Sequence, residues 1–133
     1  MHVHHRASSL ALALGCLFAG QLLAQAPTVT PLSTTSLPDI PGKEVMMLTV
    51  EYAPGGADKI HRHNANAFLY VLEGSIVMQV RGAEPVTLKA GQTFYEGPDD
   101  IHVIGRNASK TAPARFVVFL LKNKGAPPVL PAE

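Results

Sequence analysis

GGADKIHRHNANAFLYVLEG, residues 55–74, places His61 and His63 two residues apart, just ahead of an apolar run from Phe68 to Leu72. On an extended strand, residues i and i+2 project from the same face. Both imidazoles can therefore point into one cavity, and imidazole is the commonest protein ligand for a divalent metal. His102 lies in a similar setting, after the turn Gly97-Pro98-Asp99-Asp100. The remaining histidines, His2, His4 and His5, all precede Arg6 at the start of the chain. Removal of Met1 to Ala24 would leave His61, His63 and His102 as the only three.

Outward from this stretch the chain reads as short strands divided by turns. Val45 to Tyr52 is apolar and is broken by Ala53-Pro54-Gly55-Gly56, a strong turn signal. Phe68 to Leu72 meets a tight turn at Glu73-Gly74 and continues as Ser75 to Arg81. Further candidates are Val86 to Leu88, Thr93 to Glu96, Ile101 to Ile104 and the apolar Arg115 to Lys122, RFVVFLLK. Strands at roughly ten-residue spacing, with no sustained 3.6-residue period, are the signature of an all-β sandwich or barrel. One antiparallel β-domain is expected over residues 43–124.

The flanks read differently. Residues 25–42 carry Pro27, Pro31, Pro38 and Pro41 among Ser and Thr, which suits an extended lead-in or an edge segment. Residues 125–133 contain Pro127, Pro128 and Pro131 and are expected to form a loosely attached tail.

Residues 1–24 read as an export signal. A short basic start is followed by the apolar Leu10 to Leu23, shorter than the roughly 20 residues a membrane span needs. Ala24-Gln25-Ala26 resembles a cleavage box, but Pro27 would then follow the cut, so cleavage after Ala24 is expected. The mature chain would have 133 − 24 = 109 residues, sit in the periplasm or outside the cell, and make no stable membrane insertion. Cys16, the only cysteine, falls within the signal, so no disulfide braces the domain. A net charge of +1, with no basic run, argues against nucleic acid as a partner. Asn107-Ala108-Ser109 fits a glycosylation sequon, a triplet common by chance.

With these residues in place, the chain resembles a small single-domain cupin. The first cupin motif runs Gly, five residues, His-x-His, three or four residues, Glu, six residues, Gly. Gly55, His61, His63 and Gly74 fall in register with it, and Tyr70 to Gly74 (YVLEG) match closely. The second motif runs Gly, five residues, Pro-x-Gly, two residues, His, three residues, Asn, and Gly91 and His102 fall in register. The resemblance implies a double-stranded β-helix, a jelly-roll barrel with a metal site inside.

Two departures qualify it. Ala67 stands where most cupins place a ligand glutamate, and its neighbour Asn66 would face the other way on an ideal strand. In the second motif Arg106 occupies the asparagine position, and Asn107 comes one residue late. If one regular strand runs from His61 to Leu72, position 67 shares the cavity with both histidines.

By this reading His61, His63 and His102 bind one divalent transition metal, with Fe, Mn, Ni, Cu and Zn all admissible. Glu96 is either the replacement fourth ligand, a general base, or a carboxylate facing solvent at a strand end. Tyr95 either donates a hydrogen bond to bound substrate or packs as a barrel aromatic. Phe68, Met78, Phe94, Phe116 and Phe119 are core or pocket lining, and Arg62 and Arg106 are solvated charges. Two functions follow. One is a metal-dependent enzyme acting on a small oxygenated or anionic molecule by dioxygenase, isomerase or lyase chemistry. The other is a non-catalytic module binding a small ligand or metal. A homodimer is expected, because small barrels with apolar terminal strands often cover an edge with a second copy.

Overall fold

The computed structural model describes residues 23–133, so the export signal read over residues 1–24, with Cys16, falls almost wholly outside the described residues. Ten strands make up the described chain: β1 (Thr28–Ser36), β2 (Lys43–Tyr52), β3 (His61–Arg62), β4 (Ala65–Glu73), β5 (Ser75–Val80), β6 (Val86–Lys89), β7 (Thr93–Glu96), β8 (Ile101–Asn107), β9 (Ala114–Asn123) and β10 (Leu130–Pro131). They form two five-stranded sheets, in the orders β1-β2-β9-β4-β7 and β10-β3-β8-β5-β6. Every neighbouring pair is antiparallel, giving the jelly roll that the sequence led us to expect.

The first sheet owes its regularity to strict alternation. Along β4, Ala65, Ala67, Leu69 and Val71 are buried while Phe68, Tyr70 and Leu72 are exposed. Along β9, Ala114, Phe116, Val118 and Leu120 point inward, and Arg115 and Phe119 point out. A period of two leaves one face for the core and one for solvent. β9 can therefore sit between β2 and β4, paired to β2 over its whole length. Phe68 and Phe119, expected as lining, lie on the outer face, while Met78 and Phe116 do line the interior.

The Pro-rich lead-in becomes β1, an edge strand exposed at all nine positions. Pro31 sits at a register shift against β2, where a missing N–H costs no ladder bond. Gly74, which ends the first motif, has φ +72°, and a Cβ there would stand 2.5 Å from the Pro113 carbonyl oxygen. Only glycine fits this crossing of β4 into β5.

The tail departs from expectation. Residues 125–133 are not loose: Leu130 pairs with Arg62 and Pro131 with His61, so β10 edges the second sheet beside β3.

Candidate metal centre

The histidines arrive on irregular backbone. No single strand runs from His61 to Leu72: β3 ends at Arg62 in the second sheet, and β4 begins at Ala65 in the first. The chain crosses between sheets at His63-Asn64, so His61 and His63 approach one point from two sides of the crossing. His61 pairs directly with His102 of β8. The three imidazoles converge, His61 Nε2 lying 3.2 Å from His63 Nε2 and 3.3 Å from His102 Nδ1.

The outer ring nitrogens explain that orientation. His61 Nδ1 donates to the Lys59 carbonyl at 2.8 Å, and His63 Nδ1 donates to the Pro128 carbonyl at 2.6 Å. A carbonyl only accepts, so the proton of each neutral ring is on Nδ1 and each Nε2 presents a bare lone pair. Two bare lone pairs 3.2 Å apart repel unless a cation lies between them. A metal bound to nitrogen at about 2.0–2.1 Å, with ligands about 90–110° apart, separates its nitrogens by about 2.9–3.4 Å. The observed spacings fall in that range, and the donor set fits a divalent metal.

Glu96 completes the set. It stands on β7 directly opposite Ala67 on β4, so the two residues share the inner face. Its Oε1 lies 3.5 Å from His102 Nδ1 and its Oε2 3.8 Å from His63 Nε2, while Oε2 and His102 Nε2 are buried without a hydrogen bond. Ligand atoms of His61, His63 and Glu96 lie within 4.8 Å of one another, as do those of Asp58, His61 and His102. A carboxylate thus stands beside the imidazoles from the strand that pairs with position 67.

Burial sets the charge states. It lowers the His102 pKa to about 4, with the charge of His61 as second cause, and lowers that of His63. Both rings are therefore neutral, the form that coordinates. Burial also raises the Glu96 pKa to about 7, helped by Asp100 and Asp58. Without a cation, the pocket disfavours the carboxylate's charge.

Asp58, Tyr52 and Gly105 escaped the sequence reading. Asp58 lines the cavity and accepts a short hydrogen bond from the Tyr52 hydroxyl, and desolvation raises both pKa values. Its backbone N–H is tied to the Gly105 carbonyl at 2.8 Å. A Cβ on Gly105 would meet Asp58 Oδ2, His102 Cε1 and the Tyr52 hydroxyl, each at 2.8 Å, so glycine is what admits the three groups. The position of Asp58, three residues before His61 inside the first motif, was the available signal.

Tyr95 belongs elsewhere. It is half exposed on the outer face, stacked near Phe68, and its hydroxyl donates to Asn66 Oδ1 at 2.7 Å. Asn66 thus points outward, as expected, and Tyr95 does not reach the cavity.

The late Asn107 has a structural cause. Gln79 pairs with Ile104 and Val80 with His102, so Val103 is an extra residue in β8. This bulge absorbs the one-residue offset. Asn107 is buried, its Nδ2 donating to the Ala112, Ala53 and Tyr52 carbonyls and its Oδ1 accepting from the Ser109 N–H. A side chain so engaged has no room for a glycan.

The donors open onto a cavity of about 260 Å³ with mostly apolar walls, including Leu48, Val50, Leu69 and Phe116. A family model for the cupin domain matches residues 48–120. The chain belongs to the cupin family. A Klebsiella pneumoniae protein with a double-stranded β-helix domain is 18% identical, matches over 81% of this chain and 85% of its own, and superposes with a TM-score of 0.64. An oxalate oxidase in complex with the substrate analogue glycolate is 26% identical over 78% of this cupin and 54% of its own chain, with a TM-score of 0.60. A DMSP lyase from Ruegeria pomeroyi is 21% identical over 65% of this chain and 42% of its own, at 0.57. This cupin therefore spans about half the length of the oxidase and the lyase. No curated protein sequence matches it.

Proposed function

We propose that this cupin is an exported, metal-dependent enzyme acting on a small oxygenated or anionic molecule, with one divalent transition metal held by His61, His63, His102 and Glu96. The observation that carries the reading is the pair of facing Nε2 lone pairs, each ring locked by a carbonyl at its outer nitrogen. When bound, the metal supplies Lewis-acid or redox chemistry, of the dioxygenase, isomerase or lyase type.

The chain's own residues supply the rest. Three neutral imidazoles and one carboxylate leave a divalent ion with net positive charge, which favours an anionic oxygen donor as ligand. The apolar walls exclude water and strengthen that attraction. Asp58, held by Tyr52 and grouped with His61 and His102, is a second carboxyl group able to take or hold a proton near the bound molecule. The glycolate complex of the oxalate oxidase supports small hydroxy and keto acids as the first substrates to try.

Export with cleavage near Ala24 is supported by the apolar segment Leu10 to Leu23, and an intact Met1 on membrane-bound protein would refute it. A homodimer is supported by the exposed outer face bearing Phe68, Tyr70, Tyr95 and Phe119 beside the fully exposed edge strand β1. A monomer mass by light scattering at micromolar concentration would end that idea.

The functional test is metal analysis of the purified protein, then oxygen-uptake screening with small hydroxy and keto acids. Stoichiometric metal and turnover are expected. Stoichiometric metal without turnover of any such acid would favour the non-catalytic binding module.

A further inference from the structure

The C-terminal segment is fastened at both ends and touches the site between them. At its root, the buried Lys122 ammonium donates to Glu44 Oε1 at 2.5 Å and to the Ala126 carbonyl at 2.7 Å, while the Gly125 N–H donates to the same carboxylate at 3.1 Å. At its far end the Arg81 guanidinium donates to the Glu133 carbonyl oxygen. Between these anchors, Pro128 and Val129 form part of the cavity wall, and β10 pairs with the two residues of β3.

One atom of this segment acts on a donor. The Pro128 carbonyl accepts from His63 Nδ1 at 2.6 Å, across 65 residues of sequence. Partners in this position fix the tautomer and orientation of metal-ligating histidines. His61 takes its equivalent partner locally, from Lys59 two residues away. One ring is thus oriented by its own local segment and the other by a segment distant in sequence.

We propose that residues 126–133 are a positioning strap. The strap holds His63 with its proton on Nδ1 and its Nε2 turned toward the other donors, and the site has its full affinity only while β10 is docked. The three prolines suit this role, since fixed φ angles limit the freedom the segment must lose to dock. The proposal rests on the metal-centre reading above, yet its first readout needs no metal.

The test compares the full-length protein with a Pro127→Gly/Pro128→Gly/Pro131→Gly variant and with the same variant carrying Arg81→Ala, which also removes the far anchor. Amide hydrogen exchange over residues 127–133 reports whether the strap has been released. Nitrogen-15 NMR of the metal-free proteins reads the tautomer of each histidine, and cobalt(II) dissociation into a chelator reads retention of the ion. Once the strap is released, His63 should lose its pure Nδ1–H signature while His61 keeps its own, and cobalt(II) should leave about 10–100-fold faster. The strap is overturned if His63 keeps its tautomer with β10 exchanging freely, or if His61 changes alongside it. Even a wild type that binds no cobalt(II) would leave the tautomer comparison decisive, separating failure of the strap from failure of the metal reading.

Discussion

The two sheets solve different problems. The first, with β9 at its centre, is regular through its middle: alternation is unbroken along β9 and along β4 as far as Leu72, and β2 pairs with β9 without a slip. Register shifts fall only between Pro31 and Ser33 and at the end of β4. The second carries His61 and His102 and is irregular, with a two-residue β3, a bulge at Val103 and an edge closed by the two-residue β10. Regular pairing fixes every side chain to one of two faces, which suits a core. Converging donors need backbone that leaves that pattern, and the second sheet provides it.

The largest effect that would sharpen this contrast comes from the donors. His61→Ala and His102→Ala should each weaken metal binding by more than about 100-fold while keeping the β-sheet circular dichroism, since apolar burial and not the ion carries the fold. Metal titration followed by far-ultraviolet spectra reads both. Retained stoichiometric metal in both variants would move the site elsewhere.

A change in the regular sheet should do the reverse. Val71 is fully buried on β4 but lies away from the cavity. Val71→Ala should cost about 2 kcal/mol of stability in urea unfolding, through two lost methyl groups and the space they leave. Metal affinity of the folded protein should stay within a few-fold of wild type. A large loss of affinity would mean that the two sheets are not separable in this way.

A third effect, smaller per pH unit than the other two, is on pH. Glu96, with its pKa raised to about 7, is protonated in the metal-free protein below that value and must release its proton to bind a cation. Apparent affinity should rise up to about tenfold per pH unit between pH 5 and 7, then level off. Glu96→Gln should flatten that segment. Stability of the metal-free protein carries the opposite sign for this residue: the cost of the buried charge is absent below the ordinary carboxyl pKa and complete above about 7. His102, lowered to about 4, contributes its cost only as pH falls from 6.5 toward 4. Thermal melts of wild type and Glu96→Gln from pH 5 to 8 separate the two.

The same contrast explains what was legible in the sequence. The long strands were readable, because alternation and turn residues are local: Thr93 to Glu96 matches β7, and Arg115 to Lys122 falls one residue short of β9 at each end. The histidine triad was readable from spacing. Its exact approach was not, because the crossing at His63-Asn64, the bulge at Val103 and the docking of β10 depend on partners far along the chain. Tyr95 illustrates the limit: next to Glu96 in sequence, it takes the opposite face of β7 and leaves the site. Asp58 and the Pro128 carbonyl show the converse: only its place three residues before His61 hints at Asp58, and nothing local marks a backbone oxygen as part of a centre.

The central claim is that Glu96 stands in for the carboxylate missing at position 67, and the pairing of Ala67 with Glu96 makes it directly testable. Metal affinity should be measured for Glu96→Ala and for the double variant Ala67→Glu/Glu96→Ala. The account predicts a loss of at least about tenfold in the single variant, and recovery to within a few-fold of wild type when the carboxylate is moved across the strand pair. Undiminished affinity in Glu96→Ala would contradict it.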